Sequence, residues 1–251
     1  IIFYLVPDFT QINLTVAGNA LGQAFFSLSL GMGMLITYGS YIDDDNDIIS
    51  SATLITLTDV GIAFLAGLII FPFVFSSGIE TQGGPGLIFQ VFPQIFEDLG
   101  GTTGIVVGST FFILLSFAAI TSTVSLLEVP VSYLVDEFNI ERKFSVWIVA
   151  VIILSIGIPS VFSQGKSIFF SEFITYFGAE KPIDFMQFII DVSNDTLLPF
   201  GGFLITIFVA YVWKKKNLSE EISKGNPNYK GSLMEKYINI SIAYICPLIL
   251  G

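Results

Sequence analysis

Long uninterrupted apolar runs dominate the chain, where a soluble protein shows alternating or amphipathic patterning. A helix that crosses a hydrocarbon layer roughly 30 Å thick needs about 20 apolar residues. Six runs reach that length, at about 18–41, 52–77, 105–135, 145–163, 185–213 and 234–251. A further segment, 83–104, "GGPGLIFQVFPQIFEDLGGTTG", is too short and too interrupted to cross. Its Leu87, Ile88, Val91, Phe92, Ile95, Phe96 and Leu99 fall near helical spacing, with an interruption at Pro93. It predicts two short helices in an external loop folded back onto the bundle, with a helix resting on the membrane surface as the competing reading. The pattern as a whole predicts an all-α, polytopic membrane protein, with residues 1–251 forming one membrane domain.

The cations orient it. Arg142 and Lys143 lie between runs three and four, Lys214, Lys215, Lys216, Lys224 and Lys230 between runs five and six, and Lys236 opens run six. Only Lys166 and Lys181 lie on the opposite side, so eight cations face two. The positive-inside rule assigns the eight to the cytoplasm, and the chain then enters its first span from outside. The acidic loop "YIDDDNDII" is cytoplasmic in this orientation, which the rule tolerates because acids contribute little to it.

Composition narrows the function. The chain is 53% hydrophobic and 12% charged, with a mean hydropathy of +0.80, whereas soluble domains carry about 25% charged residues. Twenty-six phenylalanines exclude disorder. There is no histidine, and Cys246 is the only cysteine, so no intrachain disulfide can form. The commonest general base and metal ligand is thus missing. With no nucleophile–base pairing either, the sequence argues against an enzyme. The net charge of −11 is spread over loops, and no basic stripe suggests nucleic acid. The chain opens on Ile1 and stops within "CPLILG". Both ends read as cut, and the expectation is a piece of a longer protein.

Three polar features interrupt the apolar runs. In run one, Ser27, Ser29, Gly31 and Gly33 alternate through "GQAFFSLSLGMG" at mid-membrane. Each Gly lowers helix propensity by about 1 kcal/mol relative to Ala. An unwound stretch at that depth survives only where protein or a watery cavity surrounds it, and such stretches point to a carrier's binding site. Close helix packing through small residues explains the same composition equally well. In run two, Asp59 has apolar residues on both sides. A carboxylate there faces a cavity and holds a cation or proton, unless it lies near enough to the interface to be wet. In run three, Ala118, Thr121, Ser122 and Ser125 share one helix face. They are ordinary packing, or a row of oxygens suited to a hard cation such as sodium.

These segments resemble the sodium-dependent neurotransmitter symporter family in its prokaryotic amino-acid branch. The matching stretches are "FYLVPDF" (3–9), "ALGQAFFSLSLGMG" (20–33), "ITYGSYI" (36–42), "DVGIAFLAGLIIFP" (59–72) and "SFAAITSTVSLLE" (116–128). The resemblance implies a leucine-transporter-like fold, of which this chain holds family helices six to eleven, the second inverted repeat, with a broken first helix. It implies a multi-pass protein of the plasma (inner) membrane that imports an amino acid or related small amine with sodium by alternating access. A proton-coupled carrier and a channel-like scaffold are the alternatives. Oligomeric state is not visible in the sequence.

Site residues follow from the same resemblance. Phe26 matches the aromatic lid over the substrate, with Phe25 beside it. Ser29, Gly31 and Met32 match the unwound segment lining the pocket, and Ser122 and Leu126 match further lining positions. Two sodium sites are implied: Ser27 and Asp59 serve the first, and Ala118, Thr121 and Ser122 the second, Ala118 through its carbonyl. Ser27 also belongs to the substrate-binding set. Asp191 matches the external gate acid, with Asp195 as the alternative. Gln23 and Ser27 match chloride-site positions of animal relatives, but Ala63 replaces their serine and Asp59 their neutral asparagine. A fixed carboxylate then stands in for the anion, and chloride is not required.

Overall fold

The computed structural model describes residues 2–6, 8–76, 87–165, 167–176 and 181–251. Lys166 and the opening of the 83–104 segment, both used in the sequence reading, lie outside the described residues.

Helices account for nearly all of the described chain. The first apolar run is α1 (Leu14–Ser27) and α2 (Met34–Gly39), separated by a non-helical stretch. Asn13 caps α1 by accepting a hydrogen bond from the Val16 amide at 2.9 Å, which satisfies one of the helix's unpaired amides. There follow α3 (Ile48–Ser76), α4 (Phe92–Asp98), α5 (Gly101–Phe138) and α6 (Arg142–Ser163). The run α7 (Phe185–Gly225) contains two π-helical stretches, Asp191–Leu197 and Phe208–Lys214. Last comes α8 (Leu233–Leu250), with one more at Ser241–Ile245. By length and composition α3 (through Pro72), α5, α6, α7 and α8 can each cross a membrane. Pro72, Pro130 and Pro159 sit inside helices, as membrane helices tolerate.

The described residues fall into two compact units. One holds Ile1–Ile12 and Ile55–Ser125. Its core is Val74, Val91, Phe92 and Ile95, flanked by Ile70, Leu87, Phe96 and Phe111. Helix α4 therefore buries its apolar face on its own unit. Two glycines of α5 make room for it: a Cβ on Gly104 would strike the Phe96 carbonyl, and one on Gly108 would come within 3.0 Å of the Phe96 ring. The helix begins at Phe92, so Pro93 occupies the first turn, where its missing N–H is harmless. The interruption expected at Pro93 is thus a helix start, preceded by a π-type turn over Leu87–Val91.

The other unit holds Asn13–Leu54 and Leu126–Gly251. Here α1 packs against the π-helical stretch of α7, and the 198–207 part of α7 packs against both α1 and the end of α8. The loop between α6 and α7 closes through an antiparallel bridge, Ile174 to Ile183. The acidic loop after α2 is tied down: Lys224 contacts Asp44 at 3.0 Å, and Asn226 donates to Asp47 at 3.1 Å. Asp47 also accepts from Ser50, the main cause of its lowered pKa.

Candidate functional site

The break in the first span is built by three residues in left-handed backbone conformations: Ser29 (φ 56°), Gly31 (φ 77°) and Gly33 (φ 80°). Glycine adopts that region without a Cβ penalty, whereas serine at Ser29 is strained. Helix α1 finishes with Leu28, Ser29 and Leu30 amides bonded back to Ala24, Phe26 and Phe25 carbonyls at 3.1, 3.1 and 2.8 Å. Hydrogen bonding resumes only at Thr37, whose amide donates to the Gly33 carbonyl at 2.9 Å. Between these points the amides of Gly31, Met32 and Gly33 and the carbonyls of Leu28 to Met32 make no hydrogen bond among the described residues. Main-chain polar groups left this way in the middle of a span are accessible to a ligand.

The break is held by close backbone packing. A Cβ on Gly31 would strike the Leu198 carbonyl, and one on Gly201 would strike the Gly31 carbonyl. Phe25, only 8% exposed, lies so near Gly202 that a Cβ there would collide with its ring. Small residues do pack closely here, and by doing so they hold the unwound segment in place. The unwinding and the close packing of small residues therefore occur together. Beside the break lies a cavity of about 280 Å³, lined by Phe25, Ser29, Gly31, Gly202, Thr206 and Cys246 among others.

The remaining residues of this unit that the sequence singled out differ in setting. Phe26 and Ser27 are exposed, Met32 is half-buried, and Leu126 on α5 is exposed. Asp191 opens the first π-helical stretch of α7 and accepts a hydrogen bond from Gln187 at 2.6 Å. Asp195, in the same stretch, lies against Gly22 of α1. The Tyr176 phenol is pushed to a higher pKa, first by burial and then by Asp191 and the charge of Asp195. Both acids therefore stand at one end of α7 beside a tyrosine that the sequence reading did not select.

In the other unit, Asp59 is half-buried on α3, while Ala118, Thr121 and Ser122 are exposed on α5. The Thr121 hydroxyl donates to the Ala118 carbonyl at 2.9 Å, so two oxygens of this face are adjacent. Among the described residues there is no group of three or more His, Cys, Asp or Glu side chains suited to a metal. The oxygens available are hydroxyl, carbonyl and single carboxylate, a hard set that matches alkali and alkaline-earth cations rather than transition metals.

A second polar cluster was missed. Glu128 on α5 accepts from Tyr41, just after α2, at 3.0 Å, and from Arg142 at the start of α6 at 2.6 Å. In the sequence Glu128 is only the acid that closes the stretch "SFAAITSTVSLLE". Its partners are 87 and 14 residues away, and the only signal available was that all three residues border the cation-rich side.

With this geometry in hand, comparison with known proteins is informative. The profile of the sodium:neurotransmitter symporter family matches residues 1–250. An uncharacterized sodium-dependent transporter of Bacillus subtilis, YhdH, is 37% identical over 224 residues, 89% of this chain and 48% of its own length. One from Haemophilus influenzae is 34% identical over 251 residues, covering 100% of this chain and 52% of that protein. Among solved structures, MhsT in complex with L-phenylalanine superposes with a TM-score of 0.86 at 37% identity, over 97% of this chain and 52% of MhsT. The chain spans about half the length of the relatives it matches. Its helix order, its broken first helix and this likeness identify the second repeat of a leucine-transporter-like fold.

Proposed function

The chain belongs to the sodium:neurotransmitter symporter family, and from that premise we propose that it supplies the second-repeat half of a sodium-coupled symporter importing an amino acid or related small amine by alternating access. The observation that carries the proposal is the stretch of unpaired main chain between α1 and α2. The C-terminal end of a helix bears partial negative charge, so the carbonyls from Leu28 to Met32 suit a cation or a substrate ammonium group. Phe25, Phe26, Ser29, Gly31 and Met32 form the wall around the substrate, with Ser122 and Leu126 as further lining residues. Phe26 acts as the lid, and Asp191 as the external gate acid.

Sodium enters this reading as a transported ion. Ser27 and Asp59 are assigned to one ion, and Ala118, Thr121 and Ser122 to a second. The Ala118 carbonyl and Thr121 hydroxyl are close enough for one cation to touch both; the hydroxyl then turns its proton away and offers a lone pair. Asp59 supplies a fixed negative charge, so transport proceeds without chloride. L-phenylalanine bound to MhsT supports an amino-acid substrate here, and Met32, being flexible, accommodates a bulky one. The protein resides in the plasma (inner) membrane.

The test is uptake of labelled amino acids into vesicles carrying the complete transporter. A sodium gradient is expected to drive uptake in chloride and in gluconate alike. Asp59→Ala is expected to abolish the sodium-stimulated component at unchanged expression. Uptake driven by a proton gradient alone, or sodium dependence unaffected by Asp59→Ala, would refute the assignment.

A further inference from the structure

A polar cavity of about 410 Å³ opens between the 215–225 part of α7 and the start of α8. Lys215, Lys216 and Lys230 line it, together with Ser219 and Asn239. Two carboxylates also line it, and both have partners: Glu220 pairs with Lys216 at 3.8 Å, and Glu235 accepts from the Gly231 amide at 2.6 Å. Lys215 and Lys230 are in no ion pair among the described residues. The segment from Lys214 to Lys236 holds six lysines against three glutamates, in a chain whose net charge is −11. This positive island is local and is centred on the cavity.

The cavity's position specifies the kind of anion. Lys214 leaves the helical conformation (φ 75°, ψ 141°), ending the spanning part of α7 there. Tyr211 and Trp213 lie in the turn before Lys214, and the Tyr211 hydroxyl donates to the Ala243 carbonyl of α8, next to Tyr244, at 2.8 Å. Rings of Tyr and Trp at the ends of spanning helices mark the headgroup layer of a membrane. The Lys215 ammonium lies 5.8 Å from the centre of the Tyr244 ring.

We propose that this cavity binds the headgroup of an anionic phospholipid from the leaflet on the cation-rich side. Lys215 and Lys230 hold the phosphate. The site is independent of the transport reading, because none of its residues belongs to the substrate or sodium sets.

The experiment uses the complete transporter purified in detergent and titrated with dioleoylphosphatidylglycerol or dioleoylphosphatidylcholine, with bound lipids counted by native mass spectrometry. Two interfacial lysines acting on one phosphate correspond to roughly tenfold or more in affinity. Phosphatidylglycerol is therefore expected to be retained about tenfold more tightly than phosphatidylcholine. Lys215→Gln with Lys230→Gln removes most of that preference. Lys215→Arg with Lys230→Arg keeps it, as does Lys181→Gln on the opposite side. Equal retention of the two lipids, or a preference untouched by the double glutamine variant, overturns the proposal. Millimolar glycerol phosphate is expected to leave bound phosphatidylglycerol in place. Its displacement would assign the cavity to a soluble phosphate and overturn the lipid assignment.

Discussion

The break between α1 and α2 and the hydroxyl face of α5 are two ways of presenting oxygen inside an apolar span. In the sequence they allow the same pair of readings, close packing or ligand binding. In the structure they separate. At the break, the oxygens belong to the main chain, and they are exposed only because Gly31, Gly201 and Gly202 let two backbones touch. On α5 the helix is continuous, and its hydroxyls turn inward: Ser116 donates to Phe112, Thr121 to Ala118 and Thr123 to Ala119. Unpaired main-chain oxygens thus depend on packing to exist at all, whereas side-chain oxygens need only a rotation about χ1. Substitutions at the packed glycines of the first should destabilise the fold, and at the second they should change affinity alone.

The largest effect is expected at Gly31→Ala. The position combines a φ of 77° with a backbone carbonyl where the new methyl group would sit. No side chain can move aside to make room, so the break itself must shift. We expect a loss of about 3 kcal/mol or more, seen as a large fall in Tm and in the yield of folded protein. Gly39→Ala is the control, since nothing lies within 4 Å of its added Cβ. It should be neutral or slightly stabilising, by about 0.5 kcal/mol. Equal tolerance of the two would show that packing does not hold the break.

Thr121→Val comes next and tests the other side of the contrast. It removes one oxygen from an exposed face of a continuous helix, so Tm should move little. The sodium concentration giving half-maximal uptake should rise about tenfold, which corresponds to about 1.4 kcal/mol. A fall in Tm with unchanged sodium dependence would return the α5 face to ordinary packing.

Glu128→Gln has a smaller expected effect. Glutamine keeps the shape and one acceptor for Tyr41 but loses the charge that holds Arg142. The arginine side chain is 61% exposed and that of Glu128 18%, so screening limits the loss to about 1 kcal/mol. The Tm difference from the parent protein should shrink between low and high salt. A salt-independent difference would point to packing instead of charge.

The legible part of this molecule was the part fixed by local chemistry. Six apolar runs and a glycine-interrupted first span were written in residue order, whereas the break at Ser29–Gly33 came from the family resemblance, because the composition alone allowed close packing equally well. What could not be read were contacts between distant segments. Nothing in "LPFGGF" says that Gly201 and Gly202 receive the backbone of Gly31 and the ring of Phe25. Likewise, Glu128 gives no hint that Tyr41 and Arg142 converge on it. The π-helical stretches were invisible too, because an extra residue in a helical turn leaves the apolar pattern of α7 intact. Asp191 was selected through the family resemblance, and its position at the start of such a stretch emerged only in three dimensions.

Ser29→Gly gives the smallest effect and discriminates most finely. Ser29 is the single non-glycine residue in the break with positive φ, at 56°, a conformation that costs an L-residue on the order of 1 kcal/mol. Glycine relieves that strain but widens the unfolded ensemble by a comparable amount. The net change in stability should be within about 0.5 kcal/mol, and Tm should hold. The hydroxyl is also lost, so if Ser29 contributes to the substrate wall through its side chain, KM for the amino acid should rise while Tm stays level. If KM and Tm both hold, only the backbone of Ser29 matters, which would make the break a main-chain site throughout. The serine hydroxyl would then play no part in binding, and the contrast with α5 would be complete.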